Sequence, residues 1–492
     1  MKPTLEEIKS MNLEGFNIIP VYKEIYSDIK TPIQVLKNLK AKSKKVFLLE
    51  SVSQEIWGRY SFLGFDPRCE IKCKDKMITI TTDEGLSNTF RSDDPMNEIR
   101  KVIKEYRSPK LDNLPSFTGG LVGYASYDTL QYAESSLHFS SYDEAKFNDY
   151  HFMLFDKIIA FDNIRQKIIV IENIKLNDLE NQYKKAEKNI NFYIDLIKAD
   201  LNPNIGNNRI IEEIRCNDSF SEYKKKIDKV KYYIKEGDIF QCVYSRRFKG
   251  KMIGSLFNTY RVLRGLNPSP YMIYLDTDEL EIAGASPETL VKKEGNLLQT
   301  FPIAGTRPRG KSEKEDLEIE KELLADEKEL AEHNMLVDLG RNDIGRIAKF
   351  NSVEVINYQY VLKFSHVMHI TSTVNGIIRE DKDAIDALKA ILPAGTLSGA
   401  PKIRAAEIID ELEPVRRGIY GGAIGYIDFN DNLDMCICIR CAIKKGDMVY
   451  VQAGGGIVLD SVAENEYQET ENKAKAILTA LKLSEGELEW FY

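Results

Sequence analysis

The stretch SFSEYKKKIDKVKYYIKEGDIFQCVYSRRF, Ser219 to Phe248, sets one helix directly before one long strand. Ser219 and Glu222 have the spacing of a capping box that opens a helix, and Gly237 closes it. IFQCVYSRRF then alternates as a strand, with Phe240, Cys242, Tyr244 and Phe248 on one face and Gln241, Ser245 and Arg247 on the other. One face is core, and the other is polar enough to line a site. Long helices and long strands recur to the end of the chain without a regular strand-helix-strand alternation. The expectation is an α+β fold in which sheets pack together with helices outside.

Working upstream, short strand-like runs such as VFLLES (46 to 51) and IIAF (158 to 161) alternate with turns, and a charged helical pattern covers 178 to 198. LNPNIGNN, Leu201 to Asn208, is rich in Asn with Pro and Gly and is the best boundary. It divides the chain into regions 1–205 and 206–492.

A chain of 492 residues, 43% of them hydrophobic, can bury a large core. The net charge of -8 argues against nucleic acid or an anionic membrane as partner. No apolar run approaches the roughly 18 residues of a membrane span, and MKPTLEEIK lacks the apolar segment of a leader. The seven cysteines are scattered, which fits a reducing, cytoplasmic setting. In MCICIRC, Met435 to Cys441, Cys436 and Cys438 fall on one strand face and Cys441 on the other, and the reading is core packing rather than a metal site.

Two helical segments carry acidic pairs. Glu329 with Glu332, in DEKELAEHNMLVDLGRND, and Glu466 with Glu469, in SVAENEYQETENKAKAILTAL, each share a helix face at i, i+3. Carboxylates converging from two helices suit Mg²⁺, although the same spacing describes two solvated faces. QAGGGIV, Gln452 to Val458, either offers bare backbone N–H groups to a carboxylate or marks a bend or bulge. Neither it nor FPIAGTRPRG, Phe301 to Gly310, fits a phosphate-loop pattern. LPAGTLSGAPKIRAAEIIDELEP, Leu392 to Pro414, reads as a loop entering a helix with Ser398 as N-cap and Pro401 in the first turn, a start that favours anions. His366 and His369 in FSHVMHI face opposite sides of one strand, which disfavours a joint metal site.

Taken together, LLES, GGLVGYASYD, GDIFQCVYSRRF, NPSPYM, GASPE, PIAGTRPRG, EKELAEHNMLVDLGRND, FSHVMHI, LPAGTLSGAPK, YGGAIGY, QAGGGIV and NEYQETENKA run in order from residue 48 to 474. In these motifs the chain resembles the chorismate-utilising enzymes, and most closely their anthranilate synthase component I branch. The resemblance implies a large β-sandwich of mainly antiparallel sheets. It implies Mg²⁺ on Glu332 and Glu469, with Glu329 and Glu466 supporting through water. It implies chorismate held by Gly305, Thr306, Tyr420, Arg440, Gly454, Gly455 and Gly456, with an Arg fork and backbone N–H groups offsetting the dianion. Glu288 is then the general acid for the departing C4 hydroxyl, and His369, with Thr396 nearby, the base that takes the C2 proton.

Two positions separate sibling enzymes within this resemblance. Gln241 stands where water-activating siblings carry a lysine base, and Ala304 stands where aminodeoxychorismate synthase typically carries a lysine that attacks C2 itself. The implied nucleophile is therefore free ammonia, delivered by a separate glutamine amidotransferase subunit in a heterotetramer of two copies of each chain. Glu50, Ser51, Pro270, Tyr271, Met272 and Cys436 match the family's tryptophan feedback site, part of it in the N-terminal region. QAGGGIV replaces the more frequent QAGAGIV. Aminodeoxychorismate synthase component I and a silent tryptophan-sensing subunit are the rival readings.

Overall fold

A computed structural model of the chain describes residues 1–28, 30–52, 58–201, 203, 208–363 and 367–486. The expected helix Phe220–Lys235 forms with both reciprocal bonds of its capping box, and the strand Gln241–Ile253 follows. Cys242, Tyr244 and Phe248 are buried as the alternation requires. Phe240 is not: it is 74% exposed, because the strand begins one residue later and the turn before it faces outward.

Among the described residues the strands form two sheets of 12 strands each. The first runs from Ile18–Tyr26 at one edge, through Lys45–Glu50, Tyr271–Thr277, Leu280–Ser286, Cys441–Lys445, Met448–Ile457 and Gln241–Ile253, to Arg209–Cys216. The second runs from Ile303–Pro308, through Val367–Ile377, Thr289–Glu294, Leu433–Ile437 and Ala423–Asp428, to Ser87–Arg91. The pairings are antiparallel, for example Lys45–Glu50 with Tyr271–Thr277. Both sheets draw strands from early and late parts of the chain. The expected boundary at 205 lies outside the described residues.

The two sheets face each other across an aromatic and aliphatic core. Phe47 of the first sheet meets Phe155 of the second edge to face at 4.8 Å, and Ile273, Ile424 and Cys436 join the same cluster. Helices cover the outer faces: Leu179–Lys198 and Ala463–Leu483 bury Ile190, Ile194, Ile477 and Leu481 on the first sheet. Glu327–Gly345 and Ala384–Ile391 bury Val337, Ile344, Ile385 and Leu388 on the second. This is the expected α+β sandwich of antiparallel sheets with helices outside. At about 25 cal/mol per Å² of buried apolar area, the three stacked apolar layers are the main stabilising term.

MCICIRC departs from its expected form. It is not one strand: Leu433–Ile437 ends in the second sheet and Cys441–Lys445 begins in the first, so the chain crosses the sandwich between them. Cys436, Cys438 and Cys441 consequently all enter the core between the sheets rather than opposite faces. All seven cysteines are free. No described helix is long and apolar enough to cross a membrane.

Candidate active site

The sheet crossing carries Arg440, one residue before the strand Cys441–Lys445. Its φ is +53°, a left-handed conformation that is uncommon for a residue with a side chain and is retained where surroundings over-determine it. Burial lowers the pKa of this guanidinium, and Tyr420, Glu469 and Glu288 oppose that shift. Arg440 in turn acts on Glu288 and on His369, so it is the common neighbour of the two proton-transfer candidates.

Glu288 follows the strand Leu280–Ser286 and is anchored through its backbone carbonyl, which accepts from Ile437 N at 3.0 Å. Thr396 Oγ1 donates to Glu288 Oε1 at 2.8 Å. Burial pushes the Glu288 carboxyl up to about 7, against the opposing pull of Thr396, Lys473 and Arg440. An acid poised at neutrality can protonate a leaving group and be reloaded.

His369 lies on Val367–Ile377, and Ile303–Pro308 pairs with that strand except for an irregularity between Ala304 and Arg307. The irregularity turns Gly305, at φ +62°, so that its carbonyl meets His369 Nδ1 at 2.9 Å, with Thr306 Oγ1 at 3.1 Å. A carbonyl only accepts, so Nδ1 carries the proton and Nε2 is the basic nitrogen. Burial, with Arg440 acting in the same sense, lowers the imidazole pKa and keeps the ring neutral at neutral pH. His366 lies outside the described residues.

The two arginines of GTRPRG serve the scaffold. Arg307 bonds Asp326 at 2.8 Å and Glu329 at 3.2 Å, and Arg309 pairs with Asp316 at 2.5 Å, tying the turn to the helices Glu313–Ala325 and Glu327–Gly345.

The acidic pairs do converge from two helices. Burial raises the Glu332 pKa, and Glu329 and Glu469 raise it further; Glu466 is raised by burial and by Glu469. Glu466 Oε1 accepts from Ser461 Oγ at 2.8 Å, and its Oε2 lies 3.2 Å from where a Cβ on Gly455 would stand. Carboxylates pressed together in this way favour a cation. Among the described residues, however, no three acidic, histidine or cysteine side chains close on one point. Carboxylates are hard oxygen donors of the kind that Mg²⁺ takes a few at a time, with water and substrate oxygens completing its shell.

QAGGGIV neither bends nor bulges. It continues the strand Met448–Ile457, with Gly454, Gly455 and Gly456 paired to Ser245, Tyr244 and Val243. The neighbour on the other side, Cys441–Lys445, pairs with this strand only between Met448 and Val451, which leaves the glycines' far edge without that strand. Tyr420 Oη lies 3.0 Å from the Cβ position of Gly454.

LSGAPK differs from the expected helix start. The helix is Lys402–Leu412 with Pro401 as N-cap, and the Ser398 hydroxyl bonds back to Ala394 O at 2.9 Å. A short bridge, Gly399–Ala400 against Gln241 and Cys242, displaces the cap and holds the Thr396 turn beside Gln241.

Sequence reasoning assigned no role to Lys473, whose Nζ donates to Gly454 O at 3.0 Å and pairs with Glu469 Oε1 at 2.5 Å. Its i, i+4 spacing from Glu469 was the available signal. Of the expected feedback residues, Glu50 is held by Tyr260 at 2.8 Å and Arg264 at 2.7 Å. Glu50 and Ser51 line a cavity of about 450 Å³ with Ser61, Asn163, Arg261 and Arg264. Met272 pairs with Glu50, Tyr271 Oη bonds Asp434 at 2.8 Å, and Cys436 is buried between the sheets.

The family description "chorismate binding enzyme" matches residues 44–479. The chain belongs to the chorismate binding enzymes. Within that family it is 46% identical over 491 residues to anthranilate synthase component 1 of Acetivibrio thermocellus, covering 98% of each chain. It is 44% identical over 493 residues to the protein of the same name from Aquifex aeolicus, again covering 98% of each. Its fold superposes on the crystal structure of anthranilate synthase component I from Streptococcus pneumoniae with a TM-score of 0.76, at 38% identity, covering 92% of this chain and 99% of that one.

Proposed function

We propose that this chorismate binding enzyme is the synthase subunit of an anthranilate synthase, converting chorismate and ammonia to anthranilate and pyruvate, the first step of tryptophan synthesis, in the cytoplasm. The observation that carries the reading is the Glu288 carboxyl, held near neutrality and hydrogen-bonded to Thr396 in the cleft that Arg440 shares with a neutral His369. Near full-length likeness to proteins named anthranilate synthase component 1 supports it.

In this reading Arg440, Tyr420, Thr306 and the backbone of Gly305 and Gly454 to Gly456 hold the substrate's carboxylates. Ammonia adds at C2 while Glu288 gives its proton to the C4 oxygen, which leaves as water. His369 Nε2 then takes the C2 proton as the enolpyruvyl C–O bond breaks, and pyruvate departs. Glu332 and Glu469, supported by Glu329 and Glu466, would hold Mg²⁺, which supplies a positive charge for one substrate carboxylate. Ala304, 8% exposed and opposite Ile370, leaves the nucleophile's place open, and the neutral amide of Gln241 is a poor base for water.

The same reading gives ammonia a source in a separate glutamine amidotransferase subunit, in a heterotetramer of two copies of each chain. It gives the Glu50 and Ser51 cavity to tryptophan as a feedback inhibitor. The test is direct: the purified chain with chorismate, Mg²⁺ and ammonium salt should produce anthranilate fluorescence, and none at any ammonium concentration would overturn the assignment.

A further inference from the structure

Behind the cleft runs a buried polar chain that meets the expected substrate residues at the Tyr420 ring. Arg417 is 3% exposed, and its guanidinium is almost fully committed. Nε and Nη2 fork onto Glu413 at 2.9 and 2.6 Å, Nη1 donates to Leu397 O at 2.5 Å, and Nη2 donates to Val243 O at 2.6 Å. Its plane also lies over the rings of Tyr127 at 4.7 Å and Tyr420 at 5.7 Å.

The chain continues from there. Glu413 Oε1 accepts Ser245 N at 2.9 Å and Ser245 Oγ at 2.8 Å; Gln452 Nε2 donates to Ser245 Oγ at 2.8 Å; Arg247 Nε donates to Gln452 Oε1 at 3.1 Å. The two carbonyls that Arg417 holds belong to different walls of the cleft: Leu397 follows Thr396, and Val243 lies two residues beyond Gln241 and pairs with Gly456; Gln452, reached through Glu413 and Ser245, precedes the glycines.

We propose that Arg417 is a positioning residue for the reaction, one guanidinium that fixes the Thr396 turn, the Gln241 strand and the Tyr420 ring relative to one another. The inference rests on the anthranilate synthase reading for its chemistry. A buried pair of this kind is weak evidence for stability alone, because desolvation offsets most of the attraction, whereas sites held to within about half an ångström need such support. Only a planar fork with a stacked face can make these contacts at once, so lysine cannot replace it.

Arg417→Lys keeps the charge opposite Glu413 and loses the fork. Three measurements on this full-length variant decide the matter. Hydrogen exchange should rise in the peptide spanning Gly395 to Ser398 while the distant strand Lys167–Lys175 stays protected. The turnover rate should fall about 10- to 100-fold, the cost of a misplaced catalytic group. The pH at which activity is lost should also move upward, towards that of Thr396→Val, since the Thr396 bond pulls the Glu288 carboxyl down. Lys473, Arg440 and, across a small shared cavity, Asp343 are the other charged groups facing Glu288 and are unchanged in both variants. Combining the two substitutions should move the pH limb no further than Thr396→Val alone.

Exchange that rises uniformly along the chain, or a pH limb that stays put in a folded Arg417→Lys, would reduce Arg417 to ordinary scaffolding. If Arg417→Lys does not fold, Glu413→Gln loosens the same fork more gently and should give the same local exchange pattern; its absence also overturns the proposal. A wild-type chain that makes no anthranilate would sink the functional reading, and the exchange measurement would still decide whether Arg417 holds the turn.

Discussion

Thr396 Oγ1 and Glu288 Oε1, 2.8 Å apart, join the turn that precedes the helix Lys402–Leu412 to the acid at the end of the strand Leu280–Ser286. The bond crosses between segments more than a hundred residues apart in sequence, and it opposes the burial that holds the carboxyl at about 7. The acid is thus tuned by two effects of opposite sign.

Activity should fall as pH rises through about 7, because the acid must be protonated to act, and Thr396→Val should move that fall to higher pH. Glu288→Gln should cost about 10²- to 10⁴-fold in turnover. Stability gives an independent check. Folding raises this carboxyl above its ordinary 4.5, so its contribution is complete below that value and is lost as pH rises through about 7. Glu288→Gln should therefore gain melting temperature relative to wild type between pH 5 and pH 8. A constant difference across that range would contradict the shift.

Glu332→Gln and Glu469→Gln should each abolish Mg²⁺-dependent turnover while circular dichroism remains native, since an amide is a far weaker ligand for a hard cation. Near-normal rates at ordinary Mg²⁺ in both variants would remove the metal from this pair.

Tryptophan should inhibit, and Ser51→Phe should relieve inhibition with turnover retained, because a phenyl ring would fill the cavity that Ser51 and Glu50 line. A short route connects this cavity to the acid: Glu50 pairs with Met272, Met272 with Ala285, and Tyr271 with Ser286, two residues before Glu288. If saturating tryptophan leaves the wild-type rate unchanged, no second site biases the first.

Ala304→Lys should slow anthranilate formation from ammonium at least about tenfold, because a long amine would occupy the nucleophile's place in a packed wall. Wild-type rates in this variant would make Ala304 simple packing against the strand that carries His369.

The sandwich and the helix Phe220–Lys235 were legible because capping and alternation are local signals. The acidic helices were legible in spacing, but not in consequence. Only the structure shows Glu332 raised by Glu469 from another helix. MCICIRC misled because alternation assumes one strand, whereas the segment ends one sheet and begins the other. Ser398 misled because a bridge to Gln241 outcompeted its capping position. For Arg417 only the i, i+4 spacing from Glu413 was legible, since its other hydrogen-bond partners are backbone carbonyls of Leu397 and Val243 and carbonyls have no letter of their own.

The pairing of Lys45–Glu50 with Tyr271–Thr277 also sets a timetable. At about 5–20 residues per second, the first strand emerges from the ribosome on the order of ten seconds or more before the partner it must meet. Until then one edge of that strand stays unpaired, although its side chains are wholly buried in the finished molecule, Phe47 between the sheets and Val46 and Leu48 beneath the helices. The other edge pairs with Tyr60–Phe65 soon after synthesis, so the nascent chain carries one open strand edge until Tyr271–Thr277 is made, an interval in which transient shielding by chaperones guards against aggregation.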